Sequence, residues 1–529
     1  MTDESPPTEA AQGEFDAHQR TFRWPVLDWR MAVGAAAVVA GLAALVTSWW
    51  MPHGPMASTE ALTAMPIGAA VGFVAGRTMR SRWAMVLAPV AYVLVFELAR
   101  LGVDGPSTDA ISLTAPGGFL AFIFGRGFHG LVGLLPMVLG AAFGAALTRE
   151  TTDEPRHRTW SNRLGLYTRR SMAAISLVAL VALAIVIARP AAAEPIRDEK
   201  GDTVAGSFSE KIHVDINGVD MGMFIKGTNA DNPVLLFVHG GPGMPEYWMT
   251  QRHPIDIYDE FTVVWWDQRG AGLSYDPDIA PETMTAEQFV DDTLSVTRYL
   301  LDRFDQDKLY LMAHSWGSYI GIQAVSRAPE LYSAYIGVGQ MTYQIESEQL
   351  AYEYAIAHFN ELGDDRMVRR LEAAPPSTSA PLPSSYMALR DDYMHKAGIG
   401  TTHAMRSVIS GVFLPSLRSS DYTAMEKVNL WRGKLFSRLD TFGLWDTMLM
   451  TDLRREVPRV DVPVYFLHGR YDYTCAYPLA KDYFDALDAS VKGFYTFENS
   501  AHSPIFEEPE RTVAILVRDV LNGDTSLSD

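Results

Sequence analysis

Two kinds of hydrophobic pattern divide the chain near residue 190. Up to Ala188 the apolar residues come in long runs rich in Ala, Val, Leu and Gly, whereas beyond it they come in short runs set among polar and aromatic residues at globular frequencies. Five of the early runs, at about 31–50, 61–76, 83–99, 127–147 and 171–188, approach the roughly 20 apolar residues that cross a bilayer. The second is short and contains Pro66, and the stretch Ile111 to Phe124 is apolar enough for a re-entrant or interfacial segment. The pattern therefore predicts an N-terminal tail over 1–30, a transmembrane region of about five helices over 31–189, a linker over 190–207 and a soluble domain over 208–529.

In the soluble part, short apolar runs bounded by Gly, Pro, Asp or Asn read as strands: Val234 to Val238, Phe261 to Trp266, Leu309 to Met312, Tyr335 to Val338, Val462 to Leu467 and Phe494 to Phe497. Helical patterns fall between them. Phe289, Val290, Leu294, Val296, Leu300 and Leu301 give residues 286–304 the spacing of an amphipathic helix. Such alternation predicts a mostly parallel sheet covered on both faces. The alternation breaks at about 342–450, a helical interval with a Pro/Ser-rich interruption at Pro375 to Ser385, which reads as a cap inserted between two strands.

Charge adds an orientation. Arg20, Arg23 and Arg30 precede the first apolar run, Arg77, Arg80 and Arg82 join the second to the third, and six arginines from Arg149 to Arg170 join the fourth to the fifth. The alternate loops are nearly bare of cations. Since cationic loops are retained in the cytoplasm, the amino terminus is expected inside and the soluble domain outside, and a further span at Ile111 to Phe124 would invert it. Glu97, near the end of the third run and three residues before Arg100, reads as an interfacial carboxylate. The run after Arg169-Arg170, followed by Ala191-Ala192-Ala193-Glu194, has the outline of an internal signal peptide that a protease would cut after Ala193. A plain span followed by a small-residue linker is the favoured reading.

Composition narrows the chemistry. Of 44 Lys+Arg and 63 Asp+Glu, residues 190–529 hold 29 and 50, an acidic excess of 21 with no basic cluster, which argues against nucleic acid or anionic lipid as a ligand of the soluble domain. The one cysteine, Cys475, has no partner for an intramolecular disulfide or a cysteine-based zinc site. No cofactor or metal is expected.

The strongest chemical signal is Ala313-His314-Ser315-Trp316-Gly317, placed directly after a strand and before a helical stretch. A nucleophilic serine on a sharp strand-to-helix turn needs small residues two before and two after it, because strand and helix pass closely there. Here Ala313 stands where glycine is usual. A second signal, His239-Gly240-Gly241-Pro242-Gly243, follows another strand and offers backbone N–H groups to a developing oxyanion: Trp316 N–H with Gly241 N–H, or Gly240 N–H as the alternative. His239 is expected to pack and hydrogen-bond within that loop. The serine also needs a base and an acid to orient it, in the chain order Ser, acid, His. Asp472, in His468-Gly469-Arg470-Tyr471-Asp472, and His502, in Ser500-Ala501-His502-Ser503, each follow a strand and complete a candidate triad with Ser315. Asp267 precedes the serine in the chain, so Asp267 and Arg269 are assigned to loop architecture.

The turn His239 to Gly243, the loop Asp267 to Gly272 ending at Ser274, the elbow Ser315 to Ser318, the turn Gly469 to Asp472 and His502 together resemble the prolyl iminopeptidase-like serine peptidases of the α/β-hydrolase superfamily. The resemblance covers about 208–522 and leaves the membrane part untouched. It implies an α/β-hydrolase fold with an inserted helical cap, preceded by an all-α transmembrane region. It also implies amide hydrolysis through an acyl-enzyme, classically releasing an amino-terminal residue, without metal or cofactor. The cap lacks the Gly-Gly-Glu segment that this family associates with the substrate's free amine. An ammonium ion in a partly desolvated pocket needs a facing carboxylate, and Glu346, Glu348 and Glu353, early in the cap, are the candidates. The expected partners are a small peptide or a small-molecule ester or amide, and the lipid bilayer. An esterase or lipase acting on lipophilic esters is the alternative, and a ligand-binding membrane sensor a third reading.

Overall fold

The computed structural model describes residues 27–50, 58–101, 126–150, 160–276, 278–439 and 442–529. They fall into two compact units, one of helices from the first 180 residues and one holding Val181–Asp529. The segment Ile111 to Phe124 and nearly all of the N-terminal tail lie outside the described residues.

The first unit contains α1 (Trp29–Trp50), α2 (Ser58–Met79), α3 (Ala84–Ala99), α4 (Leu135–Glu150, preceded by a π turn at Gly130–Leu134) and α5 (Trp160–Ala188), of which α5 runs on into the second unit. Among the described residues, four helical stretches are long and apolar enough to cross a membrane: Trp29–Trp50, Ser58–Met79, Gly130–Thr148 and Arg170–Ala188. The third expected span is a helix of only 16 residues, Ala84–Ala99, so of the five expected spans four meet the length requirement among the described residues. Pro66 does not interrupt α2, which continues for 22 residues. Small residues bring α2 and α4 into backbone contact: a Cβ on Gly72 would stand 1.8 Å from the Met137 carbonyl oxygen, and one on Gly144 would stand 2.2 Å from that of Phe73. Without a hydrophobic drive in lipid, helices associate through such close backbone approach. Along α5, Ile175, Leu177, Val178, Val181, Ile185 and Val186 are exposed, as expected of a lipid-facing helix.

The second unit is an eight-stranded sheet with the order β1-β2-β4-β3-β5-β6-β7-β8. The strands are β1 (Phe208–Ile216), β2 (Val219–Gly227), β3 (Val234–Val238), β4 (Thr262–Trp266), β5 (Leu309–His314), β6 (Tyr332–Val338), β7 (Val464–Gly469) and β8 (Lys492–Phe497). From β4 to β8 all neighbours are parallel, while β1 and β2 form a hairpin that adds antiparallel to β4. The hairpin turns at Asn217-Gly218, both at positive φ (51° and 79°), the two-residue turn whose twist matches that of its strands. β3, β4 and β7 are buried at every position, as strands covered on both faces must be.

α6 (Ala286–Phe304) starts at Thr285, whose side chain accepts the Gln288 N–H, and buries the expected apolar face against the sheet. The cap lies between β6 and β7 and comprises α8 (Gln344–Glu361), α9 (Asp365–Glu372), α10 (Ser384–Lys396), α11 (Ala424–Phe436) and α12 (Leu444–Met450); α7 (Trp316–Arg327) belongs to the sheet layer below. The linker is docked rather than free. Glu194 N–H donates to Asp421 Oδ2 (3.0 Å) and Lys211 Nζ to the Ala191 carbonyl (3.2 Å), which holds the Ala193-Glu194 bond against the domain.

Candidate active site

β5 delivers Ser315 to the carboxyl edge of the sheet, where it stands at φ 56° and ψ −122° between the strand and α7. A non-glycine residue at positive φ is strained, and the surroundings hold it there. Ser315 N–H donates to the Val338 carbonyl of the next strand (3.0 Å). A Cβ on Gly317 would meet the Val238 carbonyl oxygen at 2.0 Å, so α7 can start here only without a side chain. The methyl of Ala313 faces Gly321, where a second Cβ would come within 2.9 Å of it; the departure at 313 fits because 321 is glycine.

The ends of β7 and β8 bring Asp472 and His502 together. His502 Nδ1 lies 2.9 Å from Asp472 Oδ2, and the aspartate is wholly buried. Burial alone would raise the Asp472 carboxyl, but the His502 ring, His468 at 3.3 Å and the Cys475 N–H at 2.9 Å outweigh it and hold it below the usual aspartate value. His468 Nε2 faces the Cys475 carbonyl at 2.8 Å, which fixes the turn carrying the acid. The Ser315 hydroxyl meets the buried Cys475 thiol, and among the described residues no hydrogen bond joins it to His502. In a substrate-free serine hydrolase that bond is often loose and tightens with substrate.

The glycine-rich loop after β3 is held at each peptide. His239 Nε2 faces the Gln268 N–H (3.1 Å) and can only accept, so the proton sits on Nδ1 and is donated to the Gly240 carbonyl (2.7 Å). Burial of this neutral ring pushes its pKa down to about 4. Because the peptide is planar, fixing the Gly240 carbonyl aims the Gly241 N–H the opposite way. Gly240 N–H is engaged by Glu246 Oε2 (3.3 Å), whereas the N–H groups of Gly241 and Trp316 donate to no other atom among the described residues. Gly241 and Trp316 are thus the pair available to an oxyanion. Lys434 Nζ donates to the Gly241 carbonyl (3.1 Å) and Ser437 Oγ to that of Pro242 (2.9 Å), which ties the loop to α11.

A family model described as the alpha/beta hydrolase fold matches residues 233–509. The chain belongs to that family. Its hydrolase domain is 33% identical over 293 residues to the probable aminopeptidase YbaC of Bacillus subtilis, covering 54% of this chain and 88% of that protein. It is 21% identical over 310 residues to the proline iminopeptidase of Heyndrickxia coagulans, covering 59% and 98%. Epoxide hydrolase 3 of Siraitia grosvenorii is 23% identical over 287 residues, covering 52% and 84%. Among solved structures, proline iminopeptidase of Mycobacterium smegmatis aligns with a TM-score of 0.41 at 15% identity, over 59% of this chain and 98% of its own.

Beneath the hydrolase elbow lies a charged pair that the sequence motifs did not reveal. His314 Nδ1 is 2.7 Å from Glu246 Oε1 and its Nε2 is 2.7 Å from the His502 carbonyl. Both partners are acceptors, so both ring nitrogens must carry protons and His314 is an imidazolium. Burial alone would lower its pKa, but the Glu246 carboxylate and the His502 carbonyl outweigh that and raise it; Glu246 is reciprocally held below its usual value against its own burial. Glu246 and His314 thereby join the oxyanion loop, the elbow and the base loop. Gln268 makes a second tie: its Nε2 donates to the His239 carbonyl (2.6 Å) and its Oε1 accepts Trp316 Nε1–H (2.9 Å).

Asp267 and Arg269 hold loops, as expected from their place in the chain. Arg269 makes a buried bidentate pair with Asp292 (2.8 Å twice), and Asp267 Oδ2 accepts the Leu273 N–H (2.8 Å).

The three cap glutamates are placed differently from expectation. Glu348 is fully buried and takes a bidentate pair from Arg390 (2.6 and 2.7 Å) with further bonds from Tyr386 Oη (2.7 Å) and Gln344 Nε2 (2.9 Å). Glu346 pairs with Arg454 at 2.9 Å near the surface, and Glu353 is exposed. None of the three presents a free carboxylate beneath the cap, because the period of α8 turns Glu348 into a buried ion pair, Glu346 toward Arg454 near the surface and Glu353 to solvent.

Proposed function

We propose that this chain is a membrane-anchored serine hydrolase of aminopeptidase-like type, acting on small amides or esters through an acyl-enzyme at Ser315, with its hydrolase domain outside the cytoplasm. The observation that carries this reading is the strained serine at the strand-to-helix elbow, set beside a His502-Asp472 pair at 2.9 Å and two uncommitted N–H groups. Ser315 Oγ attacks the carbonyl while His502 Nε2 takes its proton; Asp472, bonded to Nδ1–H, keeps the ring in that tautomer and stabilises the imidazolium. The N–H groups of Gly241 and Trp316 receive the oxyanion. His502 returns the proton to the leaving group, and water then hydrolyses the acyl-enzyme by the same route in reverse. The peptidase reading draws on the likeness to a probable aminopeptidase, and the extracytoplasmic placement on the arginine distribution.

The esterase reading keeps a specific observation on its side, since Glu346, Glu348 and Glu353 are engaged or exposed and offer no free carboxylate for an ammonium group. A panel of aminoacyl anilides and matched acyl esters, run on the full chain in detergent, separates the two. Turnover of the anilides supports the peptidase; turnover of esters alone leaves the esterase. Protease added to intact cells should digest residues 190–529, and protection there would overturn the orientation.

A further inference from the structure

The hydrolase floor commits its charges in pairs, and the cap does so only in part. α11 packs its last turn directly on the oxyanion loop: a Cβ on Gly243 would meet Ser437 Oγ and the Gly433 carbonyl at 2.2 and 2.4 Å. That turn carries Lys434, and Arg438 follows four residues on. Lys434 Nζ is bonded to the Gly241 carbonyl, an uncharged acceptor, and the Arg438 guanidinium lies 5.1 Å from the Trp445 ring centroid with no hydrogen bond or ion pair among the described residues. Arg438 and Asp391 are exposed to solvent, yet neighbouring atoms still penalise both charges, as on a solvent-open recess rather than a convex outer face.

The carboxylates that face these cations are Glu246, Glu348 and Asp391. Glu246 is used by His314 and Glu348 by Arg390, which leaves Asp391, itself 3.7 Å from Arg390, against two cations. Burial, and then Arg438 and Arg390, push the Lys434 ammonium well below the usual lysine value, the condition of a cation that lacks a counter-ion. In a domain with 50 acidic and 29 basic residues, a cationic excess under the cap is contrary to the overall charge and focuses the field on the space beside Gly241.

We infer that Lys434 and Arg438 form an anion subsite beneath the cap, and that the substrates of Ser315 are small amides or esters carrying a carboxylate. This rests on the serine-hydrolase reading alone and favours its ester arm over the aminopeptidase one, because an anionic group is drawn where a free amine is repelled. A carboxylate held by Arg438 completes a pairing that the chain leaves open. Lys434 stands between that group and the oxyanion loop, so ligand charge and loop position are coupled through one side chain.

The test compares p-nitrophenyl monoglutarate with p-nitrophenyl pentanoate, equal in length and differing in one terminal carboxylate. The full chain should favour the glutarate ester in kcat/KM by about tenfold or more at low ionic strength, and salt should erode the preference. Arg438→Gln should bring the ratio close to one, Asp391→Asn should widen it, and Arg455→Gln, at an exposed arginine, should leave it unchanged. A parent that favours the pentanoate, or an Arg438→Gln variant that keeps the parent's ratio, overturns the subsite while the hydrolase reading stands. If neither ester turns over, protection of Ser315 from a fluorophosphonate decides. Glutarate slowing the label in the parent but not in Arg438→Gln supports the subsite, equal effects of glutarate and glutaramide overturn it, and no labelling at all overturns the hydrolase reading beneath it.

Discussion

The floor of the site and the cap above it handle charge in opposite ways. In the floor, His239, Glu246, Gln268, His314 and Asp472 each face a defined partner at 2.6–3.3 Å, and among the described residues the N–H groups of Gly241 and Trp316 are left uncommitted. In the cap, Glu348 and Arg390 are locked while Lys434 and Arg438 make no bond to a carboxylate among the described residues. The difference separates two tasks. A transition state is stabilised by dipoles that need no rearrangement, so the floor must be closed to change. Substrate choice needs a group whose partner arrives with the ligand, so the cap must keep one open.

The largest effect is expected at the nucleophile, where the floor admits no change. Ser315→Ala should lower kcat by about 10⁴-fold or more while leaving the melting temperature nearly unchanged, measured on a chromogenic ester and by thermal unfolding of the detergent-solubilised protein. In the cap, Glu348→Gln leaves Arg390 buried without its counter-ion and should cost about 3–5 kcal/mol of hydrolase-domain stability, read by denaturant unfolding. A loss below about 1 kcal/mol there would mean that the cap's locked pair is as adaptable as its open one.

A third prediction concerns acid. His239 is held neutral with a folded pKa of about 4 against about 6.5 in the unfolded chain, so the unfolded state binds the proton first as pH falls. Stability is fully present above about pH 6.5 and is lost progressively toward pH 4, by about 3 kcal/mol in all. His239→Gln should flatten that limb of a melting-temperature profile. His314 has the opposite sign: with its pKa raised, its contribution is present at low pH and is lost as pH rises through the folded value. The smallest effect is expected at its partner. Glu246→Gln keeps a hydrogen-bond acceptor for the ring but removes the charge, and should lower kcat by about 10–100-fold with KM little changed, as for a group that positions the oxyanion loop without touching substrate. Rescue of most of the loss by Glu246→Asp would identify the charge, rather than the side-chain length, as what matters.

Legibility followed the range of the interaction. The elbow at Ser315, the loop at Gly241 and the turns at Asp472 and His502 are local: each is a strand end followed by residues that only a tight turn requires, and their chain order fixed the roles assigned to them. The Glu246-His314 pair joins residues 68 apart, and nothing near either one marks the other. Glu348 illustrates the same limit. Its nearness in sequence to β6 suggested a place beside the serine, but burial set it against Arg390, 42 residues on. The hairpin of β1 and β2 was not among the strands expected from the sequence, although its turn at Asn217-Gly218 is a signal that could have found it. Among the apolar runs, composition identified the helices, and the 16-residue length of Ala84–Ala99 emerged only with the boundaries drawn.

Whether Ser315 is the nucleophile of this hydrolase is decided by mass-spectrometric mapping of a fluorophosphonate adduct on the full chain. One adduct is expected, on the peptide containing Ser315, absent from Ser315→Ala and strongly slowed in His502→Ala. An adduct on another serine, or labelling that persists in Ser315→Ala, would contradict it.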